Sequence, residues 1–218
     1  MAKPYKGMAM EGAIATWYAN NTRSDARGYR RCAESVAART PAGGAVLEVA
    51  PGPGYLAIEL AKLGPYKVTG LDISHSFVRI ARANARQAGV EVDFRHGNAS
   101  AMPFPDDSFD FVVCRAAFKN FADPVGALNE VHRVLKPGGQ ASIYDLRPDA
   151  SREAIDAEVD GMGMSWLNRV FTKLTFRFML LKTAYSREAL ERMVAQSRFG
   201  RGRILDDGIG FDLRLEKA

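Results

Sequence analysis

Apolar positions in this chain follow two alternating rhythms. Short, nearly continuous apolar runs at 46–50, 67–71, 90–95, 109–114 and 140–145 fit buried strands. Between them, stretches with helical spacing lie at 55–62, 76–88 and 124–135, after two further helical stretches at 8–22 and 25–39. Breaks fall where turn chemistry puts them: Pro41-Ala42-Gly43-Gly44, Pro51-Gly52-Pro53-Gly54, Gly89 and Pro137-Gly138-Gly139. Ser74 is placed to cap the helix that follows it, and Ser186 the helix over 186–197. Strands alternating with helices through short links predict a parallel sheet wound on both faces. Two short strands, 203–206 and 211–215, lie on either side of Asp207-Gly208, with Gly208 and Gly210 blurring the boundary between them. Residues 151–182 interrupt the alternation as one long, mostly helical insertion.

The most informative stretch runs from the first strand to Asp72. Strand, glycine turn, helix, strand and acid form the first βαβ unit of a nucleoside site: the turn lets a ligand lie against bare backbone, and the acid accepts from ribose hydroxyls. Gly52-Pro53-Gly54-Tyr55-Leu56-Ala57 fits the dinucleotide pattern G-x-G-x-x-G/A. Charge argues against a dinucleotide. A pyrophosphate at a helix N-terminus wants no negative neighbour, yet Glu48 sits in the strand close to the turn. Its carboxylate suits a ligand carrying an ammonium or sulfonium group, and the proline-stiffened turn holds one nucleoside better than a diphosphate. Both points favour S-adenosylmethionine (SAM) over NAD. A short-chain oxidoreductase is disfavoured further, because neither Tyr18 nor Tyr144 has a lysine four residues on.

Later segments extend the pattern. Gly97-Asn98-Ala99-Ser100-Ala101-Met102-Pro103-Phe104, then Asp107-Ser108-Phe109-Asp110-Phe111-Val112 and Arg133-Val134-Leu135-Lys136-Pro137-Gly138-Gly139, follow in order. With the acid that ends the second strand, these resemble the class I SAM-dependent methyltransferases, especially the branch of ubiquinone and menaquinone C-methyltransferases. The resemblance covers about residues 40 to 147. It implies an α/β, Rossmann-like seven-stranded sheet of order 3-2-1-4-5-7-6 with the last strand antiparallel, helices on both faces and a helical lid. It also implies one methyltransferase domain over 1–218, divided into an N-terminal helical cap (1–40), a SAM-binding core (41–147), a helical lid insertion (151–185) and a helix plus terminal hairpin (186–218).

Open α/β sheets bind ligands at the carboxyl ends of their strands, so Glu48, Ala50, Gly52, Gly54 and Tyr55 are expected around the methionine part of SAM, Asp72 at the ribose and Ile73 on the adenine face. By resemblance, Asn98 and Ala99 stand where an acid usually accepts from the adenine amino group, and Arg115 where backbone contacts arise. Ala50 departs from the usual first glycine and Asn98 from the usual acid. Those departures keep open an alternative, a SAM-binding protein of this fold with a non-methylating or regulatory role.

The sulfonium methyl is already activated, so holding the reactants in line can supply about 7–11 kcal/mol with no catalytic side chain. His75, Tyr18 and Asp145 are the candidate bases, and none is compelling. His96, His132 and Tyr5 are further titratable groups, with His96 read as structural and His132 as a surface residue.

Composition sets limits. The 218 residues carry a net charge of +5 and 47% hydrophobic side chains, ordinary for a globular protein. No apolar run reaches the ~18–20 residues of a membrane span, and the first residues lack the apolar core of a signal peptide. Cys32 and Cys114 fit no metal spacing and read as reduced thiols of a cytoplasmic protein, with no metal expected. Residues 165–203 hold nine basic side chains against two acidic ones. No nucleic-acid recognition motif accompanies them. Trp166, Leu167, Val170, Phe171, Leu174, Phe178 and Met179 form an apolar stripe beside Arg169, Lys173 and Arg177. This is expected to be a lid over a small aromatic or lipophilic methyl acceptor, with peripheral membrane contact through 166–182 as a second use, and Gly161-Met162-Gly163-Met164 as its hinge.

Overall fold

The computed structural model describes residues 5–6, 10–23, 25–161 and 181–218. In chain order the elements are α1 (Gly12–Thr22), α2 (Ala26–Ala37), β1 (Ala45–Val49), α3 (Tyr55–Leu63), β2 (Lys67–Asp72), α4 (His75–Ala88), β3 (Asp93–His96), β4 (Phe109–Arg115), α5 (Pro124–Val134), β5 (Leu135–Leu146), α6 (Arg152–Gly161), α7 (Arg187–Gln196), β6 (Arg203–Asp207) and β7 (Gly210–Glu216). The apolar stripe, the basic residues beside it and the hinge beyond Gly161 lie outside the described residues.

The sheet has the expected order β3-β2-β1-β4-β5-β7-β6. Strands β1 to β5 pair in parallel, and β7 runs antiparallel between β5 and β6. After β1 the chain moves to β2 and β3, then returns to place β4 on the other side of β1. The crevice at the carboxyl ends of β1 and β4 is therefore the topological switch point, where this architecture binds ligands.

Alternation along each strand divides the interior. Leu47, Val49, Val112, Cys114, Ala141, Ile143, Leu213 and Leu215 face one layer with α5 and α7. Val46, Val68, Phe94, Phe111 and Val113 face the other, under α2, α3 and α4. Phe94, Phe111 and Phe118 are among the largest fully buried side chains, each contributing on the order of 1.5–3 kcal/mol by leaving water. A smaller cluster, Ile155, Val159, Leu181 and Ile209, seats α6 beside the β6–β7 turn.

Element ends differ from the sequence reading in instructive places. Helix α1 starts at Gly12 rather than at residue 8, because Glu11 is extended and sends its carboxylate to another helix. Strand β3 starts at Asp93 rather than at residue 90: Gly89 closes α4 in the left-handed conformation and the Val90 N–H still donates to Ala85 O. Strand β5 begins earlier than expected, at Leu135, where it pairs with Phe109 before a register shift. The caps fall as expected: Ser74 Oγ accepts from Phe77 N–H and Ser186 Oγ from Ala189 N–H.

Candidate functional site

The turn after β1 is held by its own backbone and by Asp72. Ala50 N–H donates to Leu71 O at 2.8 Å, and Gly54 N–H to Pro51 O at 3.0 Å. Gly52 N–H donates to Asp72 Oδ2 at 2.9 Å, and Ser74 N–H to Asp72 Oδ1 at 2.8 Å. Asp72 therefore welds the first turn to the second. Burial pushes its carboxyl above the usual range, and Glu11 pushes it further, while the two N–H donors and His96 oppose that rise.

Three consecutive corners of the turn have positive φ: Ala50 at 56°, Gly52 at 54° and Gly54 at 81°. At Gly54 a side chain would also collide with Phe94 and Ala81, at 2.6 and 2.9 Å, so glycine is required there. At Gly52 a Cβ would meet nothing within 4 Å, and this bare backbone borders open space. Ala50 takes the glycine-like conformation despite its methyl, so the turn keeps its shape where the sequence departs from the expected glycine.

Glu48 lies on the strand face that carries Val46, 3% exposed. Its Oε2 is buried with no hydrogen-bond partner. Burial pushes the carboxyl up to about 8; Asp72 adds to the rise, and the Ala57 N–H and Arg115 partly offset it. An unpartnered buried carboxyl costs free energy unless a donor or cation completes it. Together with the open space at Gly52, this fits a ligand bearing a cationic amine or sulfonium. It does not fit a phosphate.

Near the turn, Tyr55 donates its hydroxyl to Ala19 O at 2.9 Å, tying α1 over the start of α3. Ile73 is half-buried, and its carbonyl lies 3.0 Å from His96 Nε2. Asn98 Oδ1 accepts from Ser100 N–H at 3.0 Å, so the side chain closes a turn next to half-buried Ala99. The Arg115 guanidinium pairs with Asp25 Oδ2 at 2.6 Å and lies 4.5 Å from the centre of the Tyr29 ring.

The candidate bases separate clearly. His75 is exposed and stacks on His96 with ring centroids 3.6 Å apart. Tyr18 packs edge-on against Phe77. Its phenol is raised first by burial and then by Asp145 and Asp72, against Arg115, so it is a hydrogen-bond donor rather than a base near neutral pH. Asp145 is already engaged: Oδ1 accepts from Lys119 Nζ at 2.6 Å and Leu146 N–H at 2.8 Å, and Oδ2 from Lys119 N–H at 2.9 Å. Accepting a proton would break this buried ion pair, so Asp145 does not fit the role of a free base. His132 is half-buried and packs edge-on against Phe199.

Lys119 escaped the sequence reading. Its signal was there: a lone lysine between Phe118 and Phe121 in the loop after β4. Ala116, at φ 58°, turns the chain sharply off β4 and gives its carbonyl to Lys119 Nζ at 3.1 Å. The same loop receives the N-terminal segment. Tyr5 bridges Phe121, Lys6 N–H donates to Asn120 O at 2.8 Å, and Lys6 Nζ reaches the Tyr185 hydroxyl at 2.6 Å. The Tyr5 phenol is raised first by burial, then by Tyr18, Asp72 and Asp145, which ring the same end of the sheet. Glu11 was missed too. It accepts from the N–H groups of His75 and Ser76, and so caps α4 from outside.

No cluster of three or more potential metal ligands occurs among the described residues, and no helix among them is long and apolar enough to cross a membrane.

Comparison with known proteins agrees with this geometry. Residues 47–143 match the methyltransferase domain family. The chain is 40% identical over 127 residues to a demethylmenaquinone methyltransferase of Deinococcus radiodurans, covering 57% of this chain and 52% of that protein. It is 38% identical over 126 residues to one of Thermus thermophilus, covering 57% and 56%. The chain thus spans about half the length of the curated relatives it matches. Among solved structures, a SAM-dependent methyltransferase from Aquifex aeolicus superposes with a TM-score of 0.64 at 20% identity, over 81% of this chain and 84% of that one. The [4+2]-cyclase SpnF superposes with a TM-score of 0.57 at 22% identity, over 86% and 80%. Residues 47–143 accordingly match the methyltransferase domain family on a Rossmann-like sheet of the class I order, and over about half its length the chain resembles the demethylmenaquinone methyltransferases.

Proposed function

We propose that this protein transfers a methyl group from SAM to a small lipophilic aromatic acceptor of the quinone type. The observation that carries the cofactor half is Glu48, a buried carboxyl with one oxygen unpartnered, beside a turn whose bare backbone faces open space. Glu48 would hold the cationic methionine end, and the backbone of Ala50, Gly52 and Gly54 would lie against it with Tyr55 at its edge. Asp72 keeps lone pairs for the ribose hydroxyls while fixing the turn. Ile73, Asn98 and Ala99 would line the adenine, and the Arg115 backbone would border the methionine side. Bound SAM supplies a methyl carbon already activated by its sulfonium.

The acceptor half rests on the activity for which the demethylmenaquinone methyltransferases are named and on the apolar, tyrosine-rich rim. Tyr5, Tyr18, Phe118 and Phe121 would exclude water from that end of the sheet. The Tyr18 phenol, kept protonated by burial, would donate to an acceptor oxygen. The cap (1–40), core (41–147), insertion (151–185) and closing hairpin region (186–218) would act as one catalytic unit. Buried free thiols at Cys32 and Cys114 accord with a cytoplasmic location.

Titration calorimetry with SAM, S-adenosylhomocysteine and NADH tests the cofactor, and transfer of labelled methyl from SAM to a short-chain demethylmenaquinol tests the acceptor. Binding of both SAM species and not of NADH is expected. Failure of both to bind below the millimolar range would overturn the reading. Tight SAM binding with no transfer to any phenolic acceptor would favour the non-methylating alternative.

A further inference from the structure

Helix α1 contains no charged residue in Gly12–Thr22. It has one face on the protein, through buried Ala15 and Ala19, and its exposed polar residues, Thr16, Asn20 and Asn21, carry no charge. On its outer side stand Ile14, 37% exposed, and Trp17, 66% exposed, the two exposed large hydrophobic residues among the described part of the chain. Three residues apart, they share one side of the helix. A surface helix that turns apolar side chains outward and has no charges to solvate it has the composition of a helix with something against it.

The neighbourhood says what covers it. Arg23 caps the helix, and exposed Arg27 and Arg31 follow one turn apart on α2; none of the three makes an ion pair among the described residues. Lys6 lies upstream and the whole chain carries +5. Tryptophan prefers the boundary between water and lipid, where its ring is sheltered and its N–H is wet, and free arginines beside it complement an anionic headgroup layer. The helix is also fixed to the rim of the site. Ser74 Oγ donates to Met10 O at 2.6 Å, Glu11 caps α4, and the Tyr55 hydroxyl holds Ala19. A surface that receives α1 is thereby set against the carboxyl end of the sheet.

We infer that the outer face of α1, led by Trp17 and Ile14 and flanked by Arg23, Arg27 and Arg31, docks the protein on an anionic lipid bilayer. The partner is the lipid surface itself. This inference rests on the proposed lipophilic acceptor, because a bilayer is where such a molecule resides, and the docked rim meets it there without drawing it through water.

The test uses the full chain with vesicles of equal parts phosphatidylglycerol and phosphatidylcholine, and with phosphatidylcholine alone. The protein has two tryptophans, so Trp166→Phe leaves Trp17 as the only reporter. Co-sedimentation with the anionic vesicles and a blue shift of Trp17 emission are expected, the first lost in Trp17→Ser and both lost in Ile14→Ser. Arg23→Glu, Arg27→Glu and Arg31→Glu are each expected to weaken binding by at least about fivefold. An unshifted Trp17 spectrum, or vesicle binding indifferent to positions 14 and 17, would overturn the inference. So would lipid-free self-association that depends on Trp17, which assigns the face to a second copy of the chain. Methylation of a short-chain, water-soluble acceptor is read separately and should be unchanged in Trp17→Ser. Vesicle binding without that activity retires the proposed function and keeps the surface, whereas activity without vesicle binding does the reverse.

Discussion

Gly52 and Asp72, twenty residues apart, are joined by an N–H to carboxylate hydrogen bond of 2.9 Å, and the other oxygen of Asp72 takes the Ser74 N–H. The acid that would grip the ribose is therefore also what holds the nucleoside turn in place. Asp72→Ala is expected to lose SAM affinity and, in addition, to lower stability by about 1–3 kcal/mol, because two buried N–H groups lose their acceptor. Calorimetry with SAM and urea denaturation of the ligand-free protein measure the two losses independently. Loss of affinity with an unchanged urea midpoint would mean the turn stands without Asp72.

Glu48 carries a distinct pH signature. Its carboxyl is raised from 4.5 to about 8 in the folded chain by burial, so the ligand-free protein holds that proton where an unfolded chain has released it. A raised carboxyl contributes stability that is complete below the unfolded value and is lost as pH climbs to the folded one. Ligand-free stability should thus fall between about pH 4.5 and 8, and Glu48→Gln should flatten that slope. Binding of a cationic ligand would ionise Glu48, so SAM binding near pH 6.5 should release close to one proton. Calorimetry in two buffers of different ionisation enthalpy reads this directly. Zero protons released, with the slope intact in Glu48→Gln, would place the titration elsewhere.

Ala50 occupies a backbone conformation that suits glycine, with φ at 56°. A side chain in the left-handed region costs roughly 1–2 kcal/mol, partly offset by the larger unfolded-state entropy of glycine. Ala50→Gly is expected to stabilise the protein by up to about 1 kcal/mol and to leave SAM affinity intact. Gly54→Ala is expected to do the opposite, since φ at 81° combines with overlaps at Phe94 and Ala81. Thermal melts of the two variants moving in the same direction would contradict this account of the turn.

Much of the scaffold was legible because it is written in local signals. Val46 and Leu47 alternate between the two cores, Gly54 has no substitute, and Ser74 and Ser186 cap where their spacing says they should. The antiparallel β7 came from family resemblance, since Gly208 and Gly210 blur the hairpin in the sequence itself. Other features were illegible for a physical reason: they join residues far apart in the chain. Glu11 caps a helix more than sixty positions away, and Arg115 spends its charge on Asp25. Asn98 was read toward a ligand, while its oxygen closes a local turn. Asp145 read as a free acid because nothing along the sequence announces that Lys119 reaches it.

That pairing supports the last prediction. Lys119 Nζ and Asp145 Oδ1 sit 2.6 Å apart with side chains 7% and 2% exposed, and the carboxylate takes two backbone N–H groups besides. Removing one partner of a buried ion pair strands the other charge, at a cost of about 3–5 kcal/mol, whereas replacing both with apolar groups is often near neutral. Lys119→Met should accordingly destabilise strongly, and Lys119→Met with Asp145→Leu should recover part of the loss. Recovery will be incomplete, because Asp145→Leu leaves the N–H groups of residue 119 and Leu146 without their acceptor. Urea denaturation of the wild type, both single variants and the double variant closes the cycle. If the two single losses simply add, Lys119 and Asp145 are not coupled. Coupling of 2 kcal/mol or more, on the order expected for a desolvated pair, would mark the pair as the clamp that fixes the loop after β4, and with it Phe118 and Phe121, against the acceptor end of the sheet.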